Sequence, residues 1–440
     1  WVDIDNDGDN DLFVVSNNAS NQLYLNDGFM NFTDITESSG LSTSIMNSWG
    51  GSWGDYNNDG YLDVFISNRD MANGLQPNLL YRNNGDTTFT DVSSSAGISN
   101  LNHLSFCASF FDFNNDGWQD IYIANDRVTT SNILYKNNGN GTFTDVSTGS
   151  GTDVFVDAMS TTIGDYNSDG FLDIYVTNTQ PGNYFFENNG DETFTESAEQ
   201  YKLDFDSYSS SAAFLDFDLD GDLDIYLLNH AIHTQESYGK ASLRYKRNEQ
   251  TGDKLLRNDG DSFTDVSETA GIFGGINGYG LAISIADFNQ DGFPDIYVGN
   301  DFHEDDYYYI NNGNGTFSDQ LKNYFGHTTR FSMGNDVTDI NHDGLPDIIS
   351  LDMLPEDEVV LKTSEGDDNI QIQKLRTQKF GYHYQFTRNM LYVNQQNSSY
   401  LETALLSGIA ATDWSWSSLF ADFNQDGEQD LFISNGIPKR

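Results

Sequence analysis

Residues 50–68 read GGSWGDYNNDGYLDVFISN: small residues, then a nine-residue acidic loop, then a β-branched and aromatic run. The loop, Asp55 to Asp63, follows the pattern D-x-D/N-x-D-G-x-x-D. The run after it has strand composition, because Val, Ile and Phe fit a pleated, half-buried surface. Within the loop, the glycine at position 6 permits a sharp backbone turn.

The same pattern occurs eight times in the 440 residues, starting at Asp3, Asp55, Asp112, Asp165, Asp216, Asp287, Asp339 and Asp422. Successive starts lie 52, 57, 53, 51, 71, 52 and 83 residues apart, a basic period interrupted by two long intervals. A period of that size signifies an array of supersecondary units. Two more runs follow each loop, one ending in a turn dipeptide, as in NLLYRNNG (78–85), and one like TFTDVSSSAGI (88–98). Asn-Gly or Asp-Gly between such runs favours hairpin turns that need positive φ. Each period therefore reads as four antiparallel strands, with the acidic loop joining the first to the second.

Such units, repeated seven or eight times, define an all-β class: a β-propeller of four-stranded antiparallel blades, read as one domain over residues 1–440. Seven blades is the leading count and eight the alternative. The small residues of each first strand suit a crowded innermost position. The first period lacks its first strand and the last its final two, so the chain reads as a fragment truncated at both ends, with no signal sequence visible at Trp1.

Composition narrows the function classes. With 68 acidic against 20 basic residues the net charge is −48, which disfavours nucleic acid and anionic membrane surfaces and favours cations. Hydrophobic residues at 37% and aromatics at 14% exclude a disordered acidic chain. No apolar run is long enough for a transmembrane segment. Cys107, the only cysteine, excludes an internal disulfide and Cys-rich metal sites.

Calcium prefers six to eight oxygen ligands at flexible distances. Alternate side chains of a tight loop can point oxygens at one centre: positions 1, 3, 5 and 9 by side chain, position 7 by its carbonyl. The candidate ligands are thus Asp3, Asp5, Asp7 and Asp11; Asp55, Asn57, Asp59 and Asp63; Asp112, Asn114, Asp116 and Asp120; Asp165, Asn167, Asp169 and Asp173; Asp216, Asp218, Asp220 and Asp224; Asp287, Asn289, Asp291 and Asp295; Asp339, Asn341, Asp343 and Asp347; and Asp422, Asn424, Asp426 and Asp430. An EF-hand would need Glu at position 12, where Val14 and Ile66 stand inside strands. The loops hold 26 carboxylates at these positions, and up to eight Ca²⁺ would move the net charge from −48 to −32. Without a cation, such clustering raises carboxylate pKa values. The role assigned to the metals is structural, with no catalytic residue and no organic cofactor.

The strand, DxD/NxDGxxD loop and strand unit resembles the FG-GAP or VCBS repeat of integrin-α-like propellers. The segments NLLYRNNGDTTFTDVSSSAGI, RFSMGNDVTDINHDGLPDIISLDMLPED and DWSWSSLFADFNQDGEQDLFISNGIPKR further resemble bacterial relatives of cartilage acidic protein, which often carry an ASPIC/UnbV domain. That domain is not visible in this sequence. The resemblance implies a calcium-bound, exported, non-enzymatic protein at the bacterial outer cell surface or secreted, binding a protein or glycan ligand for adhesion. The runner-up is a polysaccharide-binding lectin or a calcium-dependent polysaccharide lyase, since propellers with similar loops occur among lyases.

The long intervals hold two insertions, at about 229–257 and 352–388, with 11 of the 20 basic residues: Lys240, Arg244, Lys246, Arg247, Lys254, Arg257, Lys362, Lys374, Arg376, Lys379 and Arg388. The second contains a helix pattern from about Asp367 to Phe380, with acids first, bases last and Gly381 beyond. The insertions either fold back onto the acidic propeller or form a partner-binding surface on one of its faces. The run DFHEDDYYY (301–309) is either a sugar-binding acidic–aromatic patch or an ordinary strand with its approach loop. Trp49, Trp53, Trp414 and Trp416 are expected to pack between blades, and His230, His233 and His303 to be loop or surface residues. Sequons at Asn18, Asn31, Asn140, Asn314 and Asn397 follow from turn composition.

Overall fold

The computed structural model describes residues 1–69, 76–98, 103–179, 182–363, 368–396 and 399–436. They form two compact units: Trp1–Asp204 with Phe423–Asp426, and Phe205–Asp422 with Gly427–Arg440.

In the first unit, the second repeat has strands Met46–Gly54, Asp63–Asn68, Leu79–Asn83 and Phe89–Asp91, antiparallel and in sequence order, with short Asn17–Ala19 added beside Met46–Gly54. The third (Ser105–Phe111, Asp120–Ser131, Ile133–Asn137, Phe143–Asp145) and fourth (Phe155–Gly164, Asp173–Asn178, Tyr184–Asn188, Phe194–Glu196) repeat this order. They merge into one sheet because Asp120–Ser131 extends to pair with Phe155–Gly164. The first repeat has Leu12–Val14, Gln22–Leu25 and Thr33–Asp34.

The second unit holds two four-stranded sheets, Ser209–Leu215 to Phe263–Asp265 and Gly280–Ala286 to Phe317–Asp319, and a third built from Asn335–Thr338, Asp347–Ser350, Met390–Asn394 and Tyr400–Glu402. Ser415–Ala421 and Asp430–Asn435 pair as a two-stranded sheet. The four-strand reading is therefore observed in the second to seventh repeats, and the fold class is the all-β propeller class of antiparallel blades.

The second strands Asp63–Asn68, Asp173–Asn178, Asp224–Asn229 and Asp295–Asn300 are buried at every position. That explains their unbroken apolar runs: both faces of these strands are covered. Hydrophobic slabs form between consecutive sheets. One joins Tyr56, Phe65 and Leu80 to Ile121, Ile123 and Tyr135; another joins Leu215, Tyr226 and Leu255 to Ile296, Val298 and Tyr309. First strands approach closely, as the small residues predict: a Cβ on Gly50 would stand 3.2 Å from the Phe106 carbonyl of the next first strand.

Several expectations need correction. The helix pattern begins later: Asp367 lies outside the described residues, Asn369 caps by accepting from the Gln371 and Ile372 N–H groups, and an α-turn (Ile370–Lys374) passes into a π-turn (Leu375–Phe380) ending at Gly381, φ 86°. Lys254 and Arg257 belong to the third strand Lys254–Asn258, not to an irregular insertion. Tyr307, Tyr308 and Tyr309 are core residues at 2% exposure or less, so this tyrosine triplet presents no sugar platform. Trp53 packs against Phe13 and Phe89 as expected, whereas Trp49 and Trp416 are 44% and 47% exposed. Asn397 lies outside the described residues.

Candidate metal centres

Each acidic loop closes the hairpin between first and second strands. Its base is a ladder pair between the residue before position 1 and the position-9 aspartate: Gly54 with Asp63, Phe111 with Asp120, Gly164 with Asp173, Leu215 with Asp224, Ala286 with Asp295. The chain enters and leaves the loop at fixed register, so positions 1 to 9 must curl over a single point.

The second loop shows the internal order. Asp55 accepts from Asp59 N through Oδ1 (3.1 Å) and from Gly60 N through Oδ2 (2.8 Å). Asn57 Oδ1 accepts from Asp59 N (2.9 Å), and its amide donates to Asp59 Oδ2 (2.9 Å). Asp63 accepts from Tyr56 N (3.2 Å) and, across the sheet, from Asn83 N (2.7 Å). The same amide-to-carboxylate contact joins Asn114 to Asp116, Asn167 to Asp169, Asn289 to Asp291 and Asn424 to Asp426. In the seventh loop Asp343 N donates to Asp339 and Asn341, and Asp347 accepts from Ile340 N and Asn394 N.

The first and fifth loops differ because position 3 is aspartate and has no proton to donate. Carboxylate oxygens of Asp3, Asp5 and Asp11 lie within 4.8 Å of one another, as do those of Asp216, Asp218 and Asp224. Oδ1 atoms of Asp3, Asp5 and Asp218 are buried without a hydrogen-bond donor among the described residues. A divalent cation bound by hard oxygens fits this donor set, and a buried carboxylate oxygen without a donor is costly otherwise.

Both loops also carry a carboxylate that the sequence reading passed over. Position 7 is expected to offer only its carbonyl, yet Asp9 and Asp222 stand there, each with Oδ1 buried and lacking a donor among the described residues. Burial and the neighbouring loop carboxylates push both up to about 6. At position 9, burial outweighs the backbone hydrogen bonds and pushes Asp11, Asp63, Asp120, Asp173, Asp224 and Asp295 up to about 7 and Asp347 to about 6.

Two further groups were not legible as functional. Position 4 lies in the left-handed region in all eight loops, with φ from 55° to 60°, at Asn6, Asn58, Asn115, Ser168, Leu219, Gln290, His342 and Gln425. Where it is an amide, it can donate to the position-6 glycine carbonyl of the next loop: Asn6 to Gly60 (2.9 Å), Asn58 to Gly117 (2.9 Å), Asn115 to Gly170 (2.8 Å), and Gln290 to Gly344. An asparagine at the end of six of the third strands reaches the other way. Asn83 donates to the Ile4 carbonyl, Asn137 to Tyr56, Asn188 to Phe113, Asn311 to Phe217 and Asn394 to Phe288, all carbonyls at position 2 of the preceding loop. Asn26 donates likewise to the Phe423 carbonyl at 2.8 Å, and Trp1 stacks on the Phe423 ring.

The basic insertions are partly consumed internally. Arg244, 4% exposed, pairs with buried Glu304 and Asp305. Arg376 pairs with Asp368 and donates to the His303 carbonyl, Arg388 pairs with Glu402, and Lys254 lies between Glu249 and Asp265. Lys240, Lys246, Lys374 and Lys379 are exposed.

Repeated four-stranded units, each with an acidic hairpin loop and several of them braced to a neighbour, define a repeat protein of the propeller class. The chain belongs to the FG-GAP-like repeat family, whose profile matches residues 3–66, 67–123, 112–176, 165–227, 244–298 and 287–350. It is similar to cartilage acidic protein 1 of Xenopus tropicalis, 28% identical over 232 residues covering 50% of this chain and 34% of that protein. The human protein of that name is 27% identical over 215 residues, covering 46% and 31%. The match thus spans about a third of the length of these curated relatives. A rhamnogalacturonan lyase of Bacillus licheniformis aligns at 10% identity and TM-score 0.42, over 94% of this chain and 78% of that one.

Proposed function

We propose that this chain is a calcium-stabilised extracellular propeller that presents a binding surface to a protein or glycan and performs no catalysis. The observation that carries the reading is the convergence of donor-less buried carboxylate oxygens in the first and fifth loops, on a hairpin that the other loops reproduce. Calcium would be held by positions 1, 3, 5 and 9 in each loop, joined by Asp9 and Asp222 in those two. It supplies charge neutralisation to the loop; the chain's own residues set the register and brace the first four loops to one another and the sixth to the seventh. Family membership and the cartilage acidic protein relatives support the scaffold reading over an enzyme. Among the described residues no helix is long and apolar enough to cross a membrane.

Calorimetry with and without chelator tests the metal reading. A ligand present at a hundred times its Kd stabilises by about 2.7 kcal/mol per site, so several sites should move Tm by many degrees. Identical melts in EDTA and calcium would remove it. Turnover of an acidic polysaccharide would overturn the non-catalytic part.

A further inference from the structure

The first insertion folds into a turn and a short 3₁₀ helix, Ala241–Tyr245, and leaves a cleft of about 600 Å³ in the second unit. Three cations, Lys240, Lys246 and Arg247, line it with a single carboxylate, Glu236. In a chain of net charge −48, a wall with that balance is a local inversion of sign. Among the described residues, Lys240, Lys246 and Arg247 make none of the ion pairs that hold the other insertion cations. Arg247 is fixed instead by donating to the backbone carbonyls of Asp253 (2.9 and 3.1 Å) and Ile272 (3.3 Å). Its positive charge is therefore held rigid at the cleft with no carboxylate in ion-pair contact among the described residues, the buried Asp253 carboxylate acting on it only through space, and a rigid cation loses little entropy when it meets an anion.

We propose that this cleft binds a carboxylate-bearing saccharide, the uronate units of an acidic polysaccharide. This names the ligand class of the scaffold proposed above and rests on that reading. Cations alone would serve any anion; the rest of the wall selects. Ser242 and Asn248 bring hydroxyl and amide groups suited to ring hydroxyls. On the same segment, next in sequence to the lining residues Gly239 and Lys246 but outside the wall itself, Tyr238 and Tyr245 are 49% and 74% exposed. Exposed rings flanking a wall of amide, hydroxyl and cationic groups suit a pyranose that is apolar on one face, hydroxylated at its edge and ionised at C6. A plain acidic peptide would use the cations and leave the rings and amides idle. The cleft is braced from below: Arg244 anchors the 3₁₀ turn to Glu304 and Asp305, and the Tyr382 hydroxyl donates to the Gly239 carbonyl at 3.1 Å.

Isothermal titration at saturating calcium tests this with three probes: a mannuronate hexamer, a neutral glucan hexamer and a hexaglutamate peptide. Each is applied to the native chain and to a Lys240→Glu/Lys246→Glu variant, whose exposed positions keep the fold. The expected result is saturable uronate binding, with the glucan and the peptide each weaker by about tenfold or more, and a loss of about tenfold in the variant with an unchanged melt, the size expected from two solvent-facing charge contacts. Uronate binding that survives the double substitution, equal binding of hexaglutamate, or no uronate binding would each overturn the proposal. Failed uronate binding beside a normal calcium response removes the cleft alone; a melt indifferent to chelator removes the scaffold reading on which it rests.

Discussion

The side-chain amide of Asn58 donates to the Gly117 carbonyl at 2.9 Å, fastening the second acidic loop to the third. Asn6 and Asn115 make the same reach, so the first four loops form a chain of contacts within one unit. Leu219 occupies the corresponding position of the fifth loop and, being apolar, has no donor to offer. An ion that orders one loop therefore orders the carbonyl its neighbour donates to. Replacing Asn58 or Asn115 by glycine keeps the left-handed backbone and removes one hydrogen bond, worth about 1 kcal/mol. The expected outcome is a lower Hill coefficient in a terbium luminescence titration, with Leu219→Gly as the silent control; unchanged cooperativity in both asparagine variants contradicts the coupling.

The all-carboxylate loops predict a second, opposite-signed effect. Asp218→Asn installs the amide that five other loops use to satisfy their position-5 carboxylate. Relieving an unsatisfied buried group is worth about 1–3 kcal/mol, so the metal-free protein should melt higher and the gain on adding calcium should shrink. Differential scanning calorimetry in chelator and in calcium reads both. A variant that loses metal-free stability refutes the account.

Acid–base behaviour follows from the position-9 aspartates. In the unfolded chain they titrate near 4, whereas in the metal-free fold Asp63, Asp120 and Asp173 are pushed up to about 7 by burial. Between those values the folded state holds more protons than the unfolded one, so metal-free stability must fall as pH rises through that window. Melts in EDTA should be lower at about pH 8 than at about pH 5, and saturating calcium, which binds the ionised form, should abolish the drop. A metal-free Tm that rises over the same interval would contradict this.

Arg244 separates the two fates of the insertion cations. Its guanidinium lies over the Phe273, Tyr307 and Tyr382 rings and pairs with two buried carboxylates. Arg244→Ala strands those carboxylates and should cost about 3–5 kcal/mol in a denaturant titration. Lys374→Glu, on an exposed position of the second insertion, should leave the midpoint in place. Equal effects would mean that burial does not decide which basic residues hold the fold.

The blades and loops were readable because their signals are local: a period, a glycine in the turn, alternating oxygen side chains. What escaped depends on distant partners. Asn6 and Asn58 fell on a position that the motif leaves free, and their contacts lie 54 and 59 residues away. Asn83 and Asn137 end strands just before the Asn-Gly turns, where nothing in the local pattern marks their reach to Ile4 and Tyr56. Asp9 and Asp222 stand at a position whose expected ligand is only a carbonyl, and it is burial of their Oδ1 atoms without a donor among the described residues that singles them out. Charge counting found the basic insertions but could not sort Arg244 from Lys240, since burial is set by Glu304 and Asp305 some sixty residues on.

The position-9 aspartate has a consequence for how such a chain can diversify. Asp173 holds the end of its third strand through Asn188 N, 15 residues on; Asp224 does so through Asn258 N across 34 residues, and Asp347 through Asn394 N across 47. The bond is the same length, 2.7–2.8 Å, whatever lies between. Because the strand is gripped at its far end, the connection ahead of it can lengthen without disturbing the sheet, at a closure cost of only about 0.6 kcal/mol per doubling. Both insertions occupy this connection. It is a grafting port: foreign segments spliced after Asn178 or Asn300 should be carried by the same grip, and the chain's own individuality is written at two such ports, while the loops keep one grammar.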